Sequence, residues 1–231
     1  MNTKRLCSAI VVTAALAIGV AIVPAGAATA GVYPAFRQES PRSILIVPVL
    51  NNTVNVNAPD FFLSTVSRPF ADRGYYVFPT HMVKRVLEDG GLADPGLVHG
   101  VDPRRLGGLF GCDAVLYVSI EEWTSKYIVL ATSTQVSFKY TIKSCKSGQT
   151  LWTDTQSRVY SPQNNNSSGN LLADLLAQAL VAALEKGMPN YMPLTIEANA
   201  AAAGGRGRGI PAGPYLPAMY LKDEKLYPTA Q

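Results

Sequence analysis

Short apolar runs alternate with polar, turn-forming segments along most of this chain, a pattern typical of strands and helices that pack on one another. Residues 44–50 form a continuous apolar run of strand length, which predicts a strand buried on both faces. Pro48 cannot donate a backbone hydrogen bond, so we expect this strand to end or bulge there. Residues 75–78 and 114–123 predict two further strands.

Helical spacing lies between these strands. Phe62, Val66 and Phe70 predict a helix over 59–73, kinked or split at Pro69. Thr80 is the expected cap of a second helix, which ends at glycines 90 and 91 and turns four side chains inward: Met82, Val83, Val86 and Leu87. A third helix is expected after the Asp102-Pro103 pair and carries Leu106, Leu109 and Phe110.

The second half of the chain predicts an antiparallel hairpin and one long helix. Residues 127–143 predict a strand whose latter half alternates, with inward side chains at Val136, Phe138, Tyr140 and Ile142. A turn at 145–148 joins it to a partner strand over 149–160. A broad leucine and alanine stripe predicts a helix over 171–186.

These elements predict one α/β domain, in which helices pack on a mixed sheet with an antiparallel hairpin half. We expect this domain to span residues 43–190, after an irregular amino-terminal segment at 28–42. Residues 191–231 are rich in glycine and proline and are expected to form an irregular carboxyl-terminal tail.

The first 27 residues have the layout of a secretory signal peptide. Lys4 and Arg5 precede an apolar run over 6–23, and small residues then allow cleavage between Ala27 and Ala28, or after Ala30. The alternative is an uncleaved membrane anchor, because the run approaches the minimum length of a membrane span. We expect cleavage and export, since Pro24 and the overlapping alanine sites suit a peptidase better than a stop-transfer end.

Composition excludes some classes of function. The chain is 48% hydrophobic and only 16% charged, which rules out a disordered protein. Removal of the signal segment lowers the net charge from +4 to about +2, too little for a nucleic-acid-binding surface. Two cysteines remain, Cys112 and Cys145, and outside the cytosol they form either a disulfide or a buried cysteine and a free thiol.

No catalytic, cofactor-binding or metal-binding residues are predicted. The chain has no nucleophile elbow, and neither His81 nor His99 has a second histidine at metal-ligand spacing, so both are expected to be surface or capping side chains. Glu121 and Glu122 are adjacent on a strand and point to opposite faces. The glycine-arginine stretch at 204–209 follows no strand and predicts a flexible connector.

The polar loop after the first strand is the candidate for ligand or partner binding. It contains Asn51, Asn52, Asn55 and Asn57, and ligands of open α/β sheets bind beyond the carboxyl ends of strands. Asparagine also favours turns and caps for structural reasons, so both roles stay open.

Several segments together resemble a bacterial lipoprotein family of unknown function, of which a neisserial surface antigen is a member. The resemblance covers roughly residues 33–220 and rests on these segments: PRSILIVP (41–48), NVNA (55–58), LSTV (63–66), RP (68–69), GYYVFP (74–79), GCDAVLY (111–117), SGQTLW (147–152) and GIPAGPY (209–215). It implies an α/β domain similar to the amino-terminal domain of the Tol periplasmic propeller protein. It also implies similarity to curli-secretion lipoproteins and to lipoprotein activators of penicillin-binding proteins.

The resemblance implies a function through contacts with other envelope proteins, and it carries over no catalytic residues. Members of this family are usually lipidated at a cysteine that follows the apolar run, whereas this chain has Ala25-Gly26-Ala27-Ala28 there, which argues against a lipid anchor. We therefore expect an exported, non-enzymatic envelope protein without a cofactor. It would be periplasmic or peripherally associated with the outer membrane, in a transport or secretion assembly. The alternative is a periplasmic protein that binds a small molecule or glycan through the asparagine loop.

Overall fold

The computed structural model describes residues 34–128, 131–160, 191–205 and 208–226. Its helices are α1 (Pro34–Glu39), α2 (Ala58–Asp72), α3 (Thr80–Asp89), α4 (Pro95–Gly100), α5 (Pro103–Phe110), α6 (Met192–Gly204) and α7 (Pro217–Leu226). Its strands are β1 (Ser43–Ile46), β2 (Leu50–Asn51), β3 (Tyr76–Val77), β4 (Ala114–Ile128), β5 (Ala131–Ser144) and β6 (Thr150–Tyr160). The predicted signal segment, its cleavage site at Ala27 and Ala28, and the predicted helix over 171–186 lie outside the described residues.

The strands form one mixed sheet in the order β3-β1-β4-β5-β6. Strand β2 pairs with the same edge of β4 as β1 does, further along β4. Strands β1, β2 and β3 make parallel pairings, whereas β4, β5 and β6 form an antiparallel meander. The predicted α/β class with an antiparallel hairpin half is thus confirmed.

Pro48 divides the first apolar run into two strands. β1 pairs with β4 up to Ile46 opposite Leu116, and β2 resumes with Leu50 opposite Ser119. Three residues on one side (47–49) therefore lie opposite two on the other (117 and 118), and the chain bulges at Pro48 because proline has no N–H to donate. The interruption predicted from the sequence is confirmed.

Helices cover both faces of the sheet. On one face, α2 and α6 pack over the inward side chains of β5, with Phe62, Phe138 and Ala198 fully buried. On the other face, α3, α4 and α5 cover β1 and the start of β4 through Val83, Val98 and Leu106. The helices on this second face cover the parallel half of the sheet, while β5 presents Lys139 and Thr141 there.

Several boundaries differ from those expected. Helix α2 continues through Pro69 to Asp72, because a proline in the last turn removes only one hydrogen bond near the helix end. Pro79 occupies the cap position of α3, and Thr80 is the first helical residue. Val83 and Leu87 of α3 are buried as expected, whereas two other apolar side chains, Met82 and Val86, are exposed at the edge of this face.

Two short helices and a longer strand were not predicted. Helix α1 lies in the segment expected to be irregular, and α4 precedes α5, with the Asp94 side chain accepting a hydrogen bond from the Leu97 N–H. Strand β4 runs to Ile128, so residues 127 and 128, expected at the start of the next strand, belong to this one.

The prediction of an irregular tail over 191–231 is wrong for the described residues, which include α6 and α7. Helix α6 is part of the core, because the amide of Asn199 accepts a hydrogen bond from the Tyr140 hydroxyl (2.8 Å) and donates one to the Thr65 hydroxyl (2.9 Å). The alanine-rich stretch of α6 has a high helix propensity, but the glycines and prolines on either side of it made the whole segment look irregular in sequence.

The segment over 208–216 packs along the residues that precede β3. The Gly213 N–H donates to the Arg73 carbonyl (2.8 Å), and the Tyr75 hydroxyl donates to the Pro211 carbonyl (2.6 Å). Arg73 also forms an ion pair with Asp223 of α7, with 2.5 Å between nitrogen and oxygen and little exposure of either side chain. These contacts fasten the carboxyl-terminal segment to the edge of the sheet.

Candidate functional site

The asparagine loop joins β2 to α2 at the carboxyl end of the strand. Asn51 is the last residue of β2, and its side-chain oxygen accepts hydrogen bonds from the N–H (3.1 Å) and the hydroxyl (2.8 Å) of Thr53. Its side-chain nitrogen donates to the Asn55 carbonyl (2.8 Å), and the Asn55 side-chain oxygen accepts from the Asn57 N–H (3.0 Å). Such side-chain-to-backbone bonds fix the loop in a series of turns.

Asn52 fastens the same loop to the neighbouring strand. Its side-chain nitrogen lies 3.3 and 3.2 Å from the two carboxylate oxygens of Glu121 in β4. Hydrogen bonds from Ser119 and then Asn52 lower the pKa of Glu121. Glu122 instead accepts from the Gln135 amide (2.6 Å), so the two glutamates form no acid/base pair.

The loop therefore presents its valines to solvent, while the side chains of Asn51, Asn52 and Asn55 are hydrogen-bonded within the protein. Val54 and Val56 are 99% and 83% exposed, more than any other large apolar side chain in the described part of the chain. Asn57 is the cap residue of α2, and its side chain makes no capping hydrogen bond. The sequence signal for this surface is the alternation of valine with asparagine over residues 54–57.

A cavity of about 430 Å³ lies beside the base of the loop, between α2, α3 and α4. Its lining combines Asn51 with charged side chains, among them Asp60 and Lys84, which form an ion pair at 3.9 Å. The asparagine that lines it has both ends of its amide engaged inside the loop.

The two cysteines lie on neighbouring parts of the second face. Cys112 lies two residues before β4 and Cys145 begins the turn between β5 and β6, with their Cα atoms 6.2 Å apart and their sulfurs paired as a disulfide. Both side chains are buried, at 7% and 6% exposure. The Cys145 N–H also donates to the Asp113 carbonyl (2.8 Å), so a backbone contact and a disulfide join the same two segments.

His99 lies in α4 and is half-buried, whereas a surface or capping side chain was expected. Its Nε2 lies 3.0 Å from the Pro48 carbonyl, and its ring meets the Tyr117 ring edge-on with 5.2 Å between centroids. Burial lowers the pKa of His99. His81 is exposed, as expected. Within the described ranges, no three His, Cys, Asp or Glu side chains are placed to hold a metal ion.

No helix in the part of the chain that the structure describes combines the length and apolar character needed to cross a membrane.

The chain matches the family described as "Putative lipoprotein GNA1162-like" over residues 32–202. A protein of Neisseria meningitidis serogroup B (strain ATCC BAA-335 / MC58), "Putative lipoprotein NMB1124/NMB1162", is 35% identical over 160 residues. That alignment covers 69% of this chain and 71% of the neisserial protein.

One solved structure agrees with this assignment. The crystal structure of lipoprotein GNA1162 from Neisseria meningitidis matches with 34% identity and a TM-score of 0.51, covering 63% of this chain and 99% of that one. The carboxyl-terminal domain of LpoB from Salmonella enterica is more distant, with 16% identity and a TM-score of 0.33 over 52% of this chain and 84% of that one. The expected likeness to the Tol protein stays a prediction.

Proposed function

Because this chain belongs to the GNA1162-like lipoprotein family, we propose that it is a non-enzymatic accessory protein of the cell envelope that acts through contacts with other envelope proteins. The predicted signal segment supports export to the periplasm, or to a peripheral position on the outer membrane. No cysteine comes directly after the apolar run, so the proposal does not include a lipid anchor.

The observation that carries this proposal is the fixed loop that exposes Val54 and Val56. An exposed valine contributes about 1.5–3 kcal/mol when a partner buries it fully. The internal hydrogen bonds of Asn51 and Asn55 hold the loop in one conformation, which lowers the entropy cost of association. Apolar side chains on a preorganised loop favour a protein partner.

The second candidate is a protein that binds a small molecule or glycan at the asparagine loop. The cavity of about 430 Å³ beside the loop favours it, since ligand pockets are concave and partly polar. The amides of Asn51 and Asn52 are already bonded within the protein, however, and a glycan would have to compete for them. A thermal-shift screen against small molecules and glycans distinguishes the two, because stabilisation lost in an Asn55→Ala, Asn57→Ala variant supports the second candidate.

Affinity purification from envelopes tests the contact function. A Val54→Ser, Val56→Ser variant keeps the asparagine hydrogen bonds but removes the exposed apolar surface, so we expect at least about tenfold less of a specific co-purifying protein. Leu109→Ser is the matched control, because Leu109 is also an exposed apolar side chain (58%) but lies on α5. Equal recovery from the wild type and the double variant would contradict the proposal.

A further inference from the structure

A second, smaller cavity of about 210 Å³ lies where β2 and α4 meet β4 and β5, away from the valines of the loop. Its polar lining consists of side chains that can donate hydrogen bonds: His99, Tyr117, Ser119, Lys139, Thr141 and Lys143. None of the lining residues that the structure describes is acidic. The cavity is therefore positively charged and rich in donors.

Two lysines from one face of β5 supply the charge. The Lys143 ammonium lies 5.4 Å from the centre of the Tyr117 ring, in a cation–π contact. Within the described residues, neither Lys139 nor Lys143 forms an ion pair with a carboxylate. Glu121 lies just outside, bonded to Ser119 and Asn52, and its carboxylate attracts the Lys139 ammonium without forming an ion pair with it. Two cations beside one cavity, neither of them in an ion pair, favour an anionic ligand.

Tyr117 provides an independent indication of a ligand. The residue is only 6% exposed, and its buried hydroxyl has no hydrogen-bond partner. Burial raises the pKa of Tyr117 to about 12, so the hydroxyl keeps its proton and remains a donor. A buried hydroxyl without a partner is destabilising, and a bound acceptor would remove that cost.

We propose that this cavity binds a tetrahedral oxyanion of the phosphate class, either free or as the phosphate group of a larger molecule. Lysine ammonium groups and hydroxyls are common ligands of phosphate oxygens. The cavity volume of about 210 Å³ is several times the roughly 30 Å³ that one water molecule occupies in the liquid. The cavity therefore has room for one phosphate group and a few water molecules.

The first test is a titration of the full chain with inorganic phosphate at low ionic strength. Binding is measured by calorimetry and by the change in melting temperature. We expect saturable binding that raises the melting temperature, with acetate as the non-tetrahedral comparison. Lys143→Gln and Tyr117→Phe should each weaken phosphate binding by about tenfold, as expected when a charged or buried hydrogen bond is lost. Lys139→Gln, at an exposed position that does not support the core, is the variant least able to disturb folding.

Lys126→Gln is the matched control, since Lys126 is an exposed lysine of β4 outside the cavity.

A second experiment compares binding of the protein to phosphatidylglycerol vesicles with its binding to phosphatidylcholine vesicles. Binding of free phosphate that depends on Lys143 indicates a soluble anion. Binding of phosphatidylglycerol vesicles alone, with the same dependence, indicates a lipid headgroup. Binding of neither probe, or equal losses in the Lys126 and Lys143 variants, would overturn the proposal.

Discussion

Single residues on the second face of the sheet are held by contacts that only the folded chain creates. His99 contacts the carbonyl of Pro48 and the ring of Tyr117, which are 51 and 18 positions away in the sequence. The isolated histidine in the sequence gave no sign of these partners, because neither the six-residue helix α4 nor its packing on β4 has a periodic signal. The same holds for Asn52, whose partner Glu121 lies 69 positions away.

The environment of His99 predicts how stability depends on pH. Burial is the main cause that lowers the pKa of His99, and the nearby Lys143 acts in the same direction. An unfolded histidine has a pKa of about 6.5, so the unfolded chain binds this proton more readily than the folded one. The free energy of unfolding should therefore fall as the pH drops through about 6.5 towards the lower folded value.

Urea denaturation of wild type and a His99→Gln variant at pH 7.5 and pH 5.5 measures this effect. We expect the wild type to lose more stability between the two pH values than the variant does. His81→Gln is the control, because it replaces an exposed histidine and leaves the contacts of His99 in place. The same loss in wild type and the His99 variant would show that another group titrates.

At the scale of elements, the carboxyl-terminal segment approaches β3 more closely than a side chain allows. A Cβ atom on Gly213 would lie 2.1 Å from the Gly74 carbonyl oxygen. Gly74 itself has a positive φ of 89°, which favours glycine. Gly213→Ala should therefore lower the free energy of unfolding by at least about 2 kcal/mol, at the upper end of overpacking costs.

Gly108→Ala is the matched control for this substitution. Gly108 lies in α5 with nothing within 4 Å of its added Cβ, so alanine should raise helix stability by about 0.5–1 kcal/mol. Urea denaturation of both variants gives the comparison. A Gly213 variant as stable as the wild type would mean that the segment does not pack along Gly74.

The disulfide between Cys112 and Cys145 joins the start of β4 to the turn after β5. It closes a loop with a sequence separation of 33, and its reduction should lower the free energy of unfolding by up to about 4 kcal/mol. Urea denaturation with and without reductant measures this change. A Cys112→Ala, Cys145→Ala variant should not respond to reductant, and a wild type that also does not respond would indicate free thiols.

The elements that the sequence predicts well are those with a strong period. The alternation of β5 specified both its buried side, with Phe138 and Tyr140 inward, and its antiparallel partners. Helix α6 was missed because its exposed face, with Ile196 and Ala200, is about as apolar as its buried face, with Ala198 and Ala202, so it has no polar stripe to mark it. Helices α1 and α4 have six residues each, too few for a periodic signal.

At the scale of the whole molecule, the proposed export without a lipid anchor can be tested directly. Intact mass spectrometry of the protein from cell envelopes should show the loss of residues 1–27 or 1–30, no added lipid mass, and two hydrogens fewer than the reduced form. Retention of the first 27 residues would instead indicate a membrane anchor. A lipid mass would place this chain with the lipidated members of its family.

The most direct test of a contact function is site-specific photo-crosslinking in intact cells. A photoreactive amino acid would replace Val54, which is 99% exposed in the asparagine loop, and in a separate variant Leu109, which is 58% exposed on α5. We expect the probe at position 54 to give a crosslinked product of defined mass with one envelope protein, and the probe at position 109 to give none. No product from position 54, or the same products from both positions, would contradict a contact function of this loop.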